Sequence, residues 1–280
     1  MSLRGPKTRV VDLRGSAVLP GFNDAHAHVV YYGLTRFAAD LTGARGEAPV
    51  FSGANFQSAC LQDSAFPRGE FLGANFEKAN CARADLTRAV LFAVNVADAD
   101  FIGANLRGAK LHQAKMHQAT WTGASFMSAS LSECDLEGIE LPNADFRDAQ
   151  LMGCLFTGTR MQRGRFRDAD LRETGLAEID WAEADLRDAD LRGATFHMGS
   201  TRSGLVGSVT PCEGSRTGFY TDDFAEQDFK APEEIRKANL CGADLRGAKI
   251  DNVDFYLVDL RGAKYSQDQA EHFRKCGAIL

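Results

Sequence analysis

Few side chains in this 280-residue chain have the type and spacing to do chemistry. His26 and His28, one residue apart, could hold a metal ion weakly, imidazole being a common ligand. A catalytic metal centre needs further ligands, and the other histidines are His112, His117, His197 and His272. No nucleophile–base pairing, phosphate-binding loop or Cys-x-x-Cys zinc spacing occurs, so neither an enzyme activity nor a cofactor is expected. The seven cysteines are an odd number without disulfide-like spacing, which fits a reducing cytosol.

Charge is the other chemical resource. The formal net charge of −6 is mild and argues against direct binding of nucleic acid. Its distribution is uneven. Residues 51–130 hold six acids and seven bases, whereas residues 131–190 hold 15 acids and seven bases, a balance of −8. Asp135, Glu137, Asp145, Asp170, Asp180, Asp185, Asp188 and Asp190 are the acids that a basic partner would meet. The longest apolar stretches are a few residues, too short to span a membrane. The first residues lack the apolar core of a secretion signal, so a cytoplasmic location is expected.

The element that must carry these groups is set by a repeat. From Phe51 to Phe196, every fifth residue is apolar, 30 positions without exception. At 44% hydrophobic content, chance gives such a frame with odds of roughly 10⁻¹¹. Two residues earlier in each unit sits a small side chain, alanine at 19 of the 30 positions. The residue between is often Asn or Asp, as at Asn55, Asn75, Asp85, Asn105, Asp145 and Asp185. A period of five matches neither the alternation of a long strand nor the 3.6-residue helical turn. It fits a very short strand followed by a turn, with positions i−2 and i facing inward and three facing out. Such units coil the chain about its own axis and bury a continuous column of side chains through neighbour contacts. Cys81, Cys134 and Cys154 fall at inward positions, where a thiol behaves as a small apolar group. The aromatic residues of the column read as core rather than as a ligand box.

At Ala84-Asp85-Leu86, Ala104-Asn105-Leu106, Ala184-Asp185-Leu186 and Ala243-Asp244-Leu245 the chain resembles the pentapeptide-repeat proteins, over roughly residues 39–265. The resemblance implies an all-β fold, a right-handed quadrilateral parallel β-helix with four pentapeptides, or 20 residues, per coil. Phe126, Phe146 and Phe166 should then stack on one face, and Trp121 and Trp181 should share another. Some members of that family mimic duplex DNA and bind DNA gyrase or topoisomerase IV. They are typically symmetric dimers joined through their C-termini, which implies a homodimer here.

The repeat is bounded and broken. Residues 1–40 read as an N-terminal cap. Val11–Gly15 and Val18–His28 resemble the first strand of amidohydrolases, in which an H-x-H pair helps to bind a catalytic metal. A barrel of that kind needs about 250 residues, so a reused remnant is expected. Residues 41–196 form the main β-helix. Residues 197–234, rich in Gly and Pro, read as an insertion loop with seven acids and three bases. The repeat resumes over 235–265 in a new frame. Residues 266–280 carry a Ser266/Gln269 capping box and a Gly277 stop, and so predict a helix that covers the last coil. The function expected from all this is a non-catalytic scaffold for a protein partner. The alternative is a DNA mimic directed at gyrase or topoisomerase IV. A metal-dependent amidohydrolase remnant is the remote third.

Overall fold

The structure, a computed structural model, describes residues 40–112, 114, 116, 119–196 and 237–280. The expected N-terminal cap with His26 and His28, the insertion, His117 and His197 lie outside these residues.

Among the described residues nearly every pentapeptide contributes one bridge residue, paired in parallel with the residue one coil away: Asn55 with Asn75, Asp85 with Asn105, Asp145 with Arg165. The step of 20 residues sorts the bridges into four ladders, one per side of the coil. The ladder from Asp40 to Ile279 takes ten steps, or about 48 Å at ~4.8 Å per strand spacing.

The corner geometry explains why five residues suffice. Residues 51–54 make a turn closed by the Ala54 amide donating to the Phe51 carbonyl at 3.0 Å. Its third residue, Gly53, has φ +66°, as a type II turn demands. The remaining amides reach across coils: Phe51 donates to Glu70 at 2.7 Å, Gly53 to Leu72 at 2.7 Å, and Asn75 back to Ala54 at 2.9 Å. Backbone pairing is thereby satisfied without long strands. The same corner position is left-handed at non-glycine residues such as Arg88 (φ +58°) and Glu183 (φ +59°), so the stack imposes a conformation that these residues disfavour by ~1–2 kcal/mol.

Inside, the column is mainly apolar and rich in aromatic rings. Leu106 and Phe146 are fully buried. Phe126, Phe146 and Phe166 stack face to face with centroids 4.7 and 5.3 Å apart and planes within 3°. The alanines at i−2 leave room for this, because a larger side chain there would hold neighbouring backbones apart.

The new sequence frame after the insertion is no new frame in space. Asp180 pairs with Asn239, Asp185 with Asp244 and Asp190 with Lys249. The chain leaves one corner after Thr195 and rejoins the next ladder in register, so three sides of the rod continue across the break.

The C-terminal end is closed by α1, Gln267–Cys276. Ser266 is its N-cap in a full capping box with Gln269, and Gly277 ends it at φ +80°. Phe273 is fully buried and meets Phe255 edge-on at 4.7 Å. Gln269 Nε2 donates to the carbonyls of Leu245 (2.8 Å) and Ala248 (3.0 Å), and His272 Nε2 lies 2.8 Å from the Val253 carbonyl. The last coil's open carbonyls thus find partners on the helix. Among the described residues no helix is long and apolar enough to cross a membrane.

Candidate interaction surface

The eight acids singled out by charge density do not form one strip. Asp180 belongs to the first ladder, Asp145 and Asp185 to the second, Asp170 and Asp190 to the third, and Asp135 to the fourth. Glu137 and Asp188 are exposed at two different corners. The repeat distributes successive acids around four sides, so proximity in sequence does not become proximity on a surface.

Most of these acids are already engaged. The bridge position favours Asp because its carboxylate accepts the backbone amide two residues on, an Asx turn. Where that next residue is Arg, the side chain folds back as a fork. Arg187 donates through Nε to Asp185 Oδ1 at 2.7 Å and through Nη2 to Oδ2 at 2.6 Å. Arg147 grips Asp145, Arg172 grips Asp170, and Arg192 grips Asp190 in the same way. Bidentate pairing of this kind is the strong form of charge-assisted hydrogen bonding. It holds the carboxyls of Asp170, Asp185 and Asp190 below the usual carboxylate range, partial burial opposing. At Asp145 burial is the largest influence and pushes upward, yet the combined pull of Arg147 and Arg165 leaves the carboxyl lowered. Asp180 accepts from Gln162 (2.5 Å) and Asn239 (2.8 Å). Asp135 accepts the Glu137 amide at 3.0 Å. Asp188 has Arg167 at 3.7 Å. The clamping arginines are already counted in the −8 of residues 131–190, so the balance stands, but most of these carboxylates are committed to shaping corners and tying coils together.

The clamps were legible as Ala-Asp-Leu-Arg strings at 184–187 and 189–192, a signal that a count of net charge passes over. Among the described residues no cluster of three or more His, Cys, Asp or Glu is placed to hold a metal ion. Cys81 and Cys154 are buried, which pushes their thiols far up and leaves them inert as nucleophiles. Among the described residues Cys60, Cys81, Cys134, Cys154 and Cys241 form no disulfide.

Two family profiles match this chain. One, described as a pentapeptide repeat region, covers residues 124–198. The other, described as pentapeptide repeats (8 copies), covers residues 70–108, 104–141 and 235–264. Together they take in more than half of the sequence. The chain belongs to the pentapeptide-repeat family.

Solved pentapeptide-repeat structures are similar to it. A trypsin-treated variant of QnrB1, a plasmid-mediated fluoroquinolone resistance protein, is 17% identical over 87% of this chain and 90% of that one, with a TM-score of 0.48. HetL from the cyanobacterium Nostoc sp. strain PCC 7120, involved in heterocyst differentiation regulation, is 20% identical over 89% of each chain, with a TM-score of 0.29. Rfr23 from the cyanobacterium Cyanothece 51142 is 18% identical over 59% of this chain and 92% of that one, with a TM-score of 0.21. At these identities and scores the likeness carries no argument about activity or partners. No curated protein matches the chain.

Proposed function

We propose that this pentapeptide-repeat protein is a non-catalytic scaffold that presents a protein partner with a rigid, pre-shaped side of its coil. One observation carries the reading: the ladders run through ten consecutive steps on one side of the rod, while many outward carboxylates are held within their own turn or by the next coil. A surface held this way loses little conformational entropy when it is covered. Cross-linking of the full-length chain in its native cells, followed by mass spectrometry, tests it. The expected result is a stoichiometric protein partner linked through residues of one side of the rod. Recovery of the chain free of any such partner sinks the reading. A loop-deleted form, run in parallel, reports whether residues 197–234 contribute.

A second reading keeps one observation in its favour, the surplus of acids over residues 131–190. A DNA mimic would bind DNA gyrase or topoisomerase IV through it. Glu137 and Asp188 are the exposed members of the set, so Glu137→Lys with Asp188→Lys should weaken an effect on gyrase supercoiling. No effect of the unaltered chain on supercoiling, with or without drug, removes this reading.

A further inference from the structure

One corner of the rod carries a row of arginines whose pairing changes along its length. In the C-terminal coils every arginine of this corner faces an acid: Arg147 meets Asp145 at 2.6 Å, Arg187 meets Asp185 at 2.6 Å, and Arg167 lies 3.5 Å from Asp168. In the N-terminal coils the same corner holds Arg68, Arg88 and Arg107. Arg68 meets Glu47 at 3.3 Å. Arg88 and Arg107 form no ion pair among the described residues, and the sequence says why. Asp85 is followed two residues later by Thr87 instead of Arg, and Thr87 Oγ1 takes its carboxylate at 2.5 Å. Ahead of Arg107 stands Asn105 in place of Asp, an amide where the clamp needs a charge.

These three arginines line a groove of about 520 Å³ together with Glu47, Thr87 and Ser128. It runs over four coil steps, about 19 Å, the length of roughly six residues of extended chain. The strand leading away from this corner ends at a second edge of different character. Arg68 is followed by Leu72, and Arg88 by Phe92, each of these apolar side chains 40% exposed. Between the two edges stand Glu70, Val90 and Lys110, which face outward on successive coils. One side of the rod is thus basic along one margin and apolar along the other.

Resting on the scaffold reading, we infer that this side, bounded by Arg68, Arg88 and Arg107 and by Leu72 and Phe92, docks an extended segment of a partner protein in which acidic and apolar residues alternate. Alternate residues of an extended chain point to opposite sides, so one set of side chains can meet the guanidinium row while the other covers Leu72 and Phe92. Guanidinium forks bind carboxylates in pairs of parallel hydrogen bonds, and two of the three arginines here have no carboxylate partner among the described residues. A long polyanion such as nucleic acid fits less well. It would extend past this corner into the coils of residues 131–190, whose balance is −8, and it would leave the apolar margin uncovered.

The test is a fluorescence anisotropy titration of the full-length chain with a labelled eight-residue peptide alternating Glu with Leu and Phe, at low ionic strength. Saturable one-to-one binding is expected. Arg88→Gln with Arg107→Gln should weaken it at least about tenfold, the share of two charge-assisted contacts. Phe92→Ser should weaken it about fivefold through lost apolar burial. Lys275→Glu, on the opposite end of the rod, should leave it unchanged. An oligodeoxynucleotide of equal charge should fail to displace the peptide. Absence of saturable binding overturns the inference, as does full binding by the double glutamine variant. Displacement by the oligodeoxynucleotide with no effect of Phe92→Ser also overturns it and assigns a bare anion site. None of these results bears on whether the intact chain captures a partner elsewhere on the rod, which the cross-linking experiment decides separately.

Discussion

Two tryptophans occupy equivalent places in the column with different consequences. Trp181 is buried and donates through Nε1 to Thr159 Oγ1 at 3.0 Å. Trp121 is equally buried, but its Nε1 has no acceptor among the described residues, and the residue in the place of Thr159 is Ala99. An unmet buried donor costs ~1–3 kcal/mol. Ala99→Thr should therefore raise stability by about 1 kcal/mol, read as a higher denaturant midpoint at unchanged slope. The arginine clamps make a second residue-scale prediction. Arg261 holds Asp259 down to about 2, and Arg187 and Arg192 lower their aspartates in the same direction. A carboxyl lowered on folding binds fewer protons in the native state than in the unfolded one. Its contribution is complete above the unfolded value of ~3.9 and is lost as pH falls toward about 2. Stability should stay level above about pH 5 and fall between about 4 and 2. Arg261→Gln should make that fall shallower; an unchanged acid limb would show that the clamp is not the cause.

At the scale of elements, α1 is held by the coil it covers. Its polar anchor is Gln269, whose amide serves both its own capping box and two carbonyls of the preceding coil. Gln269→Ala should cost ~1–3 kcal/mol by leaving those carbonyls unmet, with hydrogen exchange rising first in residues 237–280. Exchange that rises evenly along the rod would show that this end is not a separate unit. The capping box and the Gly277 stop could be read from local residue types, because helix ends are decided within a few residues. That Gln269 reaches Leu245 and Ala248 could not, because those partners lie 24 and 21 positions away.

At the scale of the molecule, the same helix bears on assembly. Ala270, Phe273 and Cys276 are buried against its own coil, and Gln267, Asp268, Glu271, Arg274 and Lys275 are left facing out. A dimer joined through this end would have to bury charged groups, which costs more than it returns unless each is paired. Sedimentation velocity at micromolar concentration should give a monomer, and a mass twice that of one chain would require another dimer surface.

The five-residue period by itself determined the short strands that coil the chain and the inward column of side chains. Each of these follows from which way a side chain points in a short strand, and that is a local property. Only the tertiary structure decided that Asp180 and Asn239 are neighbours across the break, that the acids of residues 131–190 are dealt out to four sides, and that Arg88 and Arg107 form no ion pair among the described residues. Those are relations between residues 20 or more apart. They depend on how many residues complete a coil and on which side chain stands one coil away, and a net charge summed along the chain contains neither.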